Sequence, residues 1–155
     1  MSIKVEILQK TFKELTTAQL YDLLQLRSEV FVVEQDCVYQ DIDGKDQKAL
    51  HLLGYKEHNL VAYTRCFPPG IYFQEPAIGR VVVRRSERMN SYGHEILKTS
   101  IEALETRFPE NDIKLSAQTY LTAFYESHGF QQVGQGYLED NIPHIAMIRS
   151  GRDLS

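Results

Sequence analysis

Tryptophan is absent from this 155-residue sequence, and cysteine is nearly so. The two cysteines, Cys37 and Cys66, are too few for a disulfide framework and lack the spacing of a metal site. No apolar run approaches the roughly 20 residues that span a bilayer. The opening segment MSIKVEILQKTF lacks the basic and apolar regions of a signal peptide. We therefore expect no disulfide scaffold, no metal and no membrane association, and a reducing cytoplasm is the simplest location.

An excess of positive charge is also missing. Lysine and arginine number 17 against 21 acidic residues, which gives a formal net charge of −4. Nonspecific nucleic-acid binding needs a basic surface, so we expect no nucleic-acid partner. An acidic surface instead attracts cationic substrates. The length suits one domain with its own core, and no repeat or linker divides it, so we predict a single domain over residues 1–155.

Periodicity predicts the secondary structure of the N-terminal half. Alternating apolar and polar side chains predict strands, and apolar side chains at helical spacing predict helices. By these criteria the chain contains a strand at 3–9, a helix capped by Thr16 or Thr17 with Leu20, Leu23, Leu24, Val30 and Phe31 near one face, a long acidic loop at 34–48, and a hairpin of strands near 50–56 and 60–67.

The C-terminal half alternates strands and helices. The predicted elements are a strand at 77–85, a helix from Tyr92 to Phe108, a strand at 113–118, a short helix at 120–129 that ends at Gly129, and closing strands near 130–138 and 143–150. The helix between the first two strands predicts that they are parallel neighbours. The fold class is therefore α/β, or α+β in stricter usage: a mixed sheet with antiparallel hairpins and one parallel pair, flanked by helices.

The turn RSERMNSYGHEIL, which follows the β-branched strand, combines basic residues with a helix start. A helix start offers about four N–H groups without internal partners, together with the positive end of the helix dipole. Anions bind readily there. Gly93 allows close backbone approach to a ligand, and Arg88, with Arg84 or Arg85, can add charge. The residues alone leave a second interpretation open, in which a solvated basic turn simply caps the helix.

The stretch from Arg88 to Gly93 resembles the Gln/Arg-x-x-Gly-x-Gly/Ala signature of the GNAT superfamily of N-acetyltransferases. Ser91 replaces the first glycine of that signature. The stretch from Tyr125 to Phe130 matches the family pattern Tyr-x-x-x-Gly-Phe. Longer stretches resemble the ElaA-like branch: VFVVEQDCVYQDIDGKD (30–46), HLLGY (51–55), LVAYTR (60–65), FYESHGF (124–130) and LEDNIPHIAM (138–147).

This resemblance implies transfer of an acetyl group from acetyl-CoA to a primary amine of a small molecule or peptide, without a metal. It also implies a mixed GNAT-like sheet whose strand Arg80–Val83 carries the pantetheine arm and donates backbone N–H groups to the reacting carbonyl. Tyr125 would lie beside the thioester sulfur and protonate the departing thiolate, although packing is the other interpretation. The implied coenzyme contacts are Val81, Val82, Val83, Arg88, Met89, Asn90, Ser91, Tyr92, Gly93, His94 and Tyr125.

The base and the acceptor site are less sharply indicated. Candidate bases are Glu34, Asp36, His51, Glu139 and His144. We assign catalytic roles to His51, whose ordinary pKa near 6.5 suits a general base, and to Glu34, whose carboxylate could instead bind the ammonium. A structural role is the alternative for either histidine. The predicted acceptor contacts are Glu34, Gln35, Arg65 and His144, and Arg65 could instead pair with an acid of the loop.

The acidic loop has two interpretations. Its acids form either a solvated face or a wall that selects a cationic amine; they are Glu34, Asp36, Asp41, Asp43 and Asp46. The function also has an alternative, since loss of the first motif glycine at Ser91 would suit an acyl-CoA-binding regulatory module with weak or no catalysis. The closing strands could pair two copies in a homodimer.

Overall fold

The computed structural model describes residues 4–151 and contains seven strands and three α-helices within that range. The strands are β1 (Glu6–Thr11), β2 (Leu50–Lys56), β3 (Asn59–Phe67), β4 (Ala77–Val83), β5 (Ile113–Gln118), β6 (Gln131–Glu139) and β7 (Ile142–Arg149). The helices are α1 (Thr17–Arg27), α2 (Tyr92–Arg107) and α3 (Thr122–Glu126). None of the helices in this part of the chain is long and apolar enough to cross a membrane.

The strands form a mixed sheet in the order β1-β2-β3-β4-β5-β7-β6, and helices flank it. This confirms the predicted fold class. The predicted first strand differs at its start, since β1 begins at Glu6, and Ile3 lies outside the described residues. The chain divides into two compact units, one containing the residues up to Cys66 with Arg80–Ser100, the other Phe67–Gly79 with the residues from Ile101 on. The organisation as one domain stays a prediction.

The first unit contains the predicted hairpin and first helix. β1 pairs with β2, and β2 pairs with β3, both antiparallel. Thr16 begins α1 with reciprocal hydrogen bonds, because its hydroxyl accepts from the Gln19 N–H while its own N–H donates to the Gln19 side chain, each at 3.0 Å. The apolar face of the helix packs on the sheet in a core of Leu23, Leu26, Val30, Leu53, Leu60, Tyr63 and Val82.

Beyond α1, the helix widens into a π-helix over Ser28–Glu34, which periodicity does not predict. Val30 stays buried in this segment, whereas Val33 is exposed. π-Helical turns are uncommon and occur frequently at functional sites. The segment ends at Gln35, whose N–H donates to the Val30 carbonyl at 3.1 Å.

The second unit contains the predicted parallel pair and the closing hairpin. The start of β4 pairs with β5 in parallel at Ala77 and Lys114. β5 pairs antiparallel with β7, and β7 pairs antiparallel with β6. The core face of these strands carries Ile113, Leu115, Ala117, Ile145 and Met147, all buried. Because side chains alternate along a strand, Ser116 and His144 lie on the opposite face.

Candidate active site

The turn between β4 and α2 is the segment for which the sequence predicts an anion site. A 3₁₀-helix over Arg85–Asn90 follows β4, and Ser91 adopts the left-handed conformation with φ 62° and ψ 20° immediately before α2. Glycine reaches this conformation without steric cost, whereas another residue pays roughly 1–3 kcal/mol. The conformation explains why the family motif has glycine where this chain has Ser91.

The implied coenzyme contacts differ in accessibility. Met89, Asn90, Ser91 and His94 are exposed, and Gly93 is half-buried as the second residue of α2. Tyr92 is buried at 2% exposure, so its side chain packs in the protein interior and only its backbone can face a ligand. Within β4, Val82 lies in the core, while Val81 and Val83 are half-buried.

Arg88 is paired with Glu34 in this structure. Its two terminal nitrogens donate to the two carboxylate oxygens of Glu34 at 2.5 and 2.8 Å, and its Nε donates to the Val83 carbonyl at 3.1 Å. Hydrogen bonds from Arg88 hold the pKa of Glu34 below its usual range. A carboxylate with a low pKa and two arginine contacts is a poor proton acceptor, which argues against the predicted role of Glu34 as a general base.

His51 is fully buried, and both of its ring nitrogens are used. Nε2 lies 2.8 Å from the Asp46 carbonyl oxygen, which can only accept, so Nε2 carries the proton. Nδ1 then accepts from the Tyr63 hydroxyl at 2.6 Å. Burial lowers the pKa of His51, which keeps the ring neutral. This geometry argues against a general-base role for His51 and supports the structural alternative.

Three arginines and three aspartates form a connected set of ion pairs, which we call the arginine–aspartate network. Asp46 Oδ1 lies 2.7 Å from Arg27 and 2.9 Å from Arg65, and Arg65 also pairs with Asp43 at 2.5 Å. Arg27 is fully buried and Arg65 is 1% exposed. The network consists of Arg27, Arg65, Arg80, Asp41, Asp43 and Asp46.

The network corrects two predictions. Arg65 is held by aspartates in the interior, so the predicted contact with a substrate is not supported and the ion-pair alternative holds. Asp41, Asp43 and Asp46 turn toward arginines, so these three form neither a solvated face nor a wall for an amine. Asp36 of the same loop is exposed. Burial works to raise the pKa of Asp46, but hydrogen bonds and charge from Arg27 and Arg65 outweigh burial and hold that pKa below its usual range.

Replacing Asp46 with asparagine should destabilise the fold by about 3–5 kcal/mol, because two buried guanidinium groups lose their shared carboxylate. The midpoint of thermal unfolding should fall by roughly 10 °C. The contribution of Asp46 is fully present above the unfolded pKa of about 3.9 and is lost as the pH falls through the lowered folded pKa. The difference in unfolding free energy between the wild type and Asp46→Asn should therefore narrow only in strong acid.

The matched control for this variant is Glu87→Gln. Glu87 pairs with Lys56 at 3.1 Å in a partly exposed position. Exposed ion pairs contribute little to stability, so this variant should unfold close to the wild type. Equal losses in Asp46→Asn and Glu87→Gln would contradict the assignment of a buried, stabilising role to Asp46.

Two further candidate bases lie together in the second unit. His144 Nε2 is 3.2 Å from Glu139 Oε2, and its Nδ1 is 2.7 Å from the Ile142 carbonyl oxygen. The imidazole stacks on Tyr137 with ring centroids 6.3 Å apart. The Tyr137 hydroxyl contacts Ser116 Oγ, which lies 3.4 Å from Glu139 Oε2. We call these four side chains the Glu–His cluster.

Sequence reasoning missed two members of this cluster. Ser116 and Tyr137 were not among the candidates, although the hairpin register pairs Tyr137 with His144. Glu139 is partly open to solvent, with 41% of its side chain exposed, whereas His144 is nearly buried. A half-exposed carboxylate held by an imidazole and a hydroxyl can receive a cation and accept a proton.

Tyr125 lies in α3 of the second unit and is buried at 6% exposure. Phe130 packs edge-on against it, with ring centroids 6.2 Å apart. Gly129, at φ 89°, turns the chain so that the Phe130 N–H donates to the Tyr125 carbonyl at 3.2 Å. Burial raises the pKa of Tyr125, so the phenol stays protonated and can donate. Packing and proton donation are compatible roles for this side chain.

The described part of the chain contains no group of side chains that could form a metal site. Among residues 4–151, no three His, Cys, Asp or Glu side chains come close enough to hold a metal ion.

Comparison with known proteins gives one consistent family. The model of the acetyltransferase (GNAT) domain matches residues 13–150. Protein ElaA of Escherichia coli (strain K12) is 44% identical over 138 residues, which cover 88% of this chain and 90% of that protein. Two crystal structures superpose with a TM-score of 0.88 and cover 94% of this chain and 99% of their own: an acyl-CoA N-acyltransferase from Pseudomonas aeruginosa, 40% identical, and Escherichia coli ElaA, 41% identical. The chain therefore belongs to the GNAT acetyltransferase family, in its ElaA-like branch.

Proposed function

We propose that this protein transfers an acetyl group from acetyl-CoA to a primary amine. The observation that carries the proposal is the left-handed Ser91 at the start of α2, at the position where the family motif has glycine. The similar Pseudomonas aeruginosa protein is described as an acyl-CoA N-acyltransferase, which supports an acyl-CoA as the donor. The acetyl group and the amine acceptor are part of the proposal.

Backbone groups and Arg88 would hold the coenzyme. The N–H groups from Ser91 to His94 would face the pyrophosphate, and the helix dipole of α2 adds favourable potential. Arg88 supplies positive charge once it leaves Glu34. The pantetheine arm lies along Val81–Val83 in the manner of an added strand.

The chemical step breaks the thioester C–S bond and forms a C–N bond. The neutral amine attacks the carbonyl carbon, and the carbonyl oxygen gains negative charge that backbone N–H groups of β4 stabilise. The thiolate leaves and takes a proton from the Tyr125 hydroxyl. The attacking nitrogen loses one proton to solvent, and Tyr125 regains its proton from solvent, so the products are an amide and coenzyme A.

The acceptor must lose a proton before it attacks, because an alkyl ammonium has a pKa of about 10.4. The Glu–His cluster is the best-supported place for this step. Glu139 is accessible and negatively charged, and His144 is fixed against it at 3.2 Å. Glu34 is paired with Arg88, and His51 is enclosed, so neither competes for the role.

The test is a transfer assay with the purified full chain. Acetyl-CoA would be mixed with a panel of primary amines that includes polyamines, lysine and lysine-containing peptides. Thiol release would be followed together with the mass of the amine product. We expect thiol release that depends on one class of amine, with a matching acetylated product. Binding of acetyl-CoA without transfer to any amine would instead favour the regulatory module that binds acyl-CoA.

Replacing Glu34 with glutamine should tighten acetyl-CoA binding by roughly threefold to tenfold. In the wild type, the phosphates must displace a bidentate carboxylate from Arg88, and a neutral amide competes less strongly for the guanidinium. Isothermal titration calorimetry would measure the change in dissociation constant.

Glu6→Gln is the control for bulk charge, because Glu6 is an exposed acid of β1 and its replacement changes the net charge equally. Weaker binding in Glu34→Gln would show that Glu34 orients Arg88 for phosphate and does not compete with it. Equal tightening in both variants would reduce the effect to long-range electrostatics.

A further inference from the structure

Arg80 has an unusual backbone conformation in the middle of a strand. Its φ angle is 49°, although it is the fourth residue of β4 and carries a long side chain. A residue in the left-handed region within a strand is typical of a bulge, which turns a neighbouring peptide group out of the hydrogen-bond ladder. Arg80 follows Gly79, which could have adopted such a conformation without steric cost. The strained backbone conformation therefore falls on Arg80, whose side chain can bind other residues, and not on Gly79.

The side chain of Arg80 is held by four contacts with three residues. Its Nε donates to Asp41 Oδ1 at 2.8 Å, and Nη2 donates to the Asp41 carbonyl at 3.0 Å. Its guanidinium lies over the ring of Tyr39, 5.8 Å from the centroid. Nη2 also lies 3.6 Å from Asp43 Oδ2. These contacts come from the acidic loop that follows the π-helix.

Asp41 is in turn held by Arg27 and Tyr39. Its Oδ2 accepts from Arg27 Nε at 2.9 Å, and its carbonyl accepts from Arg27 Nη2 at 3.1 Å. The Tyr39 hydroxyl donates to Asp41 Oδ1 at 3.2 Å. Asp41 is 7% exposed, and Arg27 is fully buried. The surroundings therefore over-determine the position of Arg80, which is the condition under which backbone strain persists.

We propose that Asp41 is a positioning residue for acyl transfer, which acts through Arg80 to hold the β4 backbone so that a peptide N–H donates to the thioester carbonyl oxygen. The inference rests on the proposed function. If the contact served only to attach the acidic loop to the sheet, an arginine with an ordinary extended backbone would be sufficient. The strained backbone and its anchor together point to an aligned donor. A donor that is already oriented stabilises the developing oxyanion without reorganisation.

The test uses the bound acetyl-CoA as its own reporter. Acetyl-CoA labelled with carbon-13 at the thioester carbonyl would be bound to the full-length protein, and the carbonyl stretch recorded by difference infrared spectroscopy. A hydrogen bond to the carbonyl lowers its stretching frequency. We expect a lowered frequency in the wild type and a frequency close to that of free acetyl-CoA in Asp41→Asn and Arg80→Gln. In turnover, kcat should fall about tenfold to a hundredfold, with little change in KM for acetyl-CoA.

Asp46→Asn separates positioning from stability. Asp46 belongs to the same network and is buried, but its ion pairs are with Arg27 and Arg65. It should lower the unfolding temperature while leaving the carbonyl frequency at its wild-type value. Tyr39→Phe is the milder variant if Asp41→Asn folds poorly, because it removes one hydrogen bond to Asp41 and keeps the ring under Arg80. Tyr39→Phe should shift the carbonyl frequency part of the way from the wild-type value to that of free acetyl-CoA.

A rescue experiment completes the test. Glycine adopts a φ of 49° without steric cost, so adding Arg80→Gly to Asp41→Asn should restore most of the lowered frequency. No recovery would overturn the inference, because it would show that Asp41 acts by holding the loop alone. A lowered frequency retained in both Asp41→Asn and Arg80→Gln would overturn it while the proposed function stood. A wild type that fails to bind acetyl-CoA would overturn the proposed function itself.

Discussion

Replacing Tyr125 with phenylalanine should lower turnover by about a hundredfold or more while acetyl-CoA affinity stays nearly unchanged. A positioned general acid typically contributes about 10²–10⁴-fold to rate. The substitution removes the hydroxyl and keeps the ring that packs against Phe130. Burial raises the pKa of Tyr125, so the wild-type phenol is protonated at neutral pH. Steady-state kinetics would give turnover, and calorimetry would give affinity.

Tyr21→Phe is the matched control for this variant. Tyr21 lies in α1 and is 71% exposed, so loss of its hydroxyl should change neither turnover nor affinity. An equal loss of turnover and affinity in Tyr125→Phe would show that the hydroxyl supports coenzyme binding. No loss of either would show that Tyr125 only packs.

Replacing Gly93 with valine should weaken acetyl-CoA binding by about a hundredfold, which corresponds to roughly 2.7 kcal/mol. Gly93 is the second residue of α2, directly after the left-handed Ser91. A β-branched side chain would crowd the approach of a phosphate to the backbone N–H groups. Calorimetric titration measures the effect, and thermal unfolding establishes that the helix still forms.

Ser91→Gly is the companion variant, and its expected effect has the opposite sign. Glycine takes the left-handed conformation of residue 91 without steric cost, so the turn should form more readily and bind acetyl-CoA at least as tightly. Unchanged affinity in Gly93→Val would remove the phosphate turn from the account. Weaker binding in Ser91→Gly would show that the Ser91 hydroxyl itself contacts the coenzyme.

The order of elements could be predicted because each element carries its own periodic signal. The run AIGRVVV, rich in β-branched residues, forms β4, and the apolar stripe of α2, which includes Ile96 and Leu97, is buried as expected. Thr16 was one of two predicted caps and is the one observed. The short helix ends earlier than predicted, at Glu126, and Gly129 lies in the turn that follows, with φ 89°.

The conformations that matter for the site could not be predicted in the same way. No local pattern marks the positive φ of Arg80, because it depends on Asp41, 39 residues earlier in the chain. The side chain of His51 points opposite to those of Leu50 and Leu52, as alternation along a strand predicts. Both faces of β2 are covered, so His51 is buried and does not face an open cleft. The sequence predicts the acidic character of the loop, but it does not predict which arginines pair with these acids.

One part of the site was within reach of sequence reasoning. Glu139 and His144 were separate candidates, and a hairpin between the closing strands brings them to the same turn. Aligning that hairpin would also have placed Tyr137 opposite His144. The pairing of Glu34 with Arg88 was out of reach, since it joins two segments that lie 54 residues apart in the chain.

The coenzyme site is the central claim, and calorimetric titration of the purified protein with acetyl-CoA and with desulfo-CoA tests it most directly. Both ligands carry the pyrophosphate and the pantetheine arm, whereas only acetyl-CoA carries the reacting group. We expect micromolar binding of both, with similar affinities, because the turn after β4 and the strand itself supply most of the contacts. Absence of binding by either ligand would contradict the account.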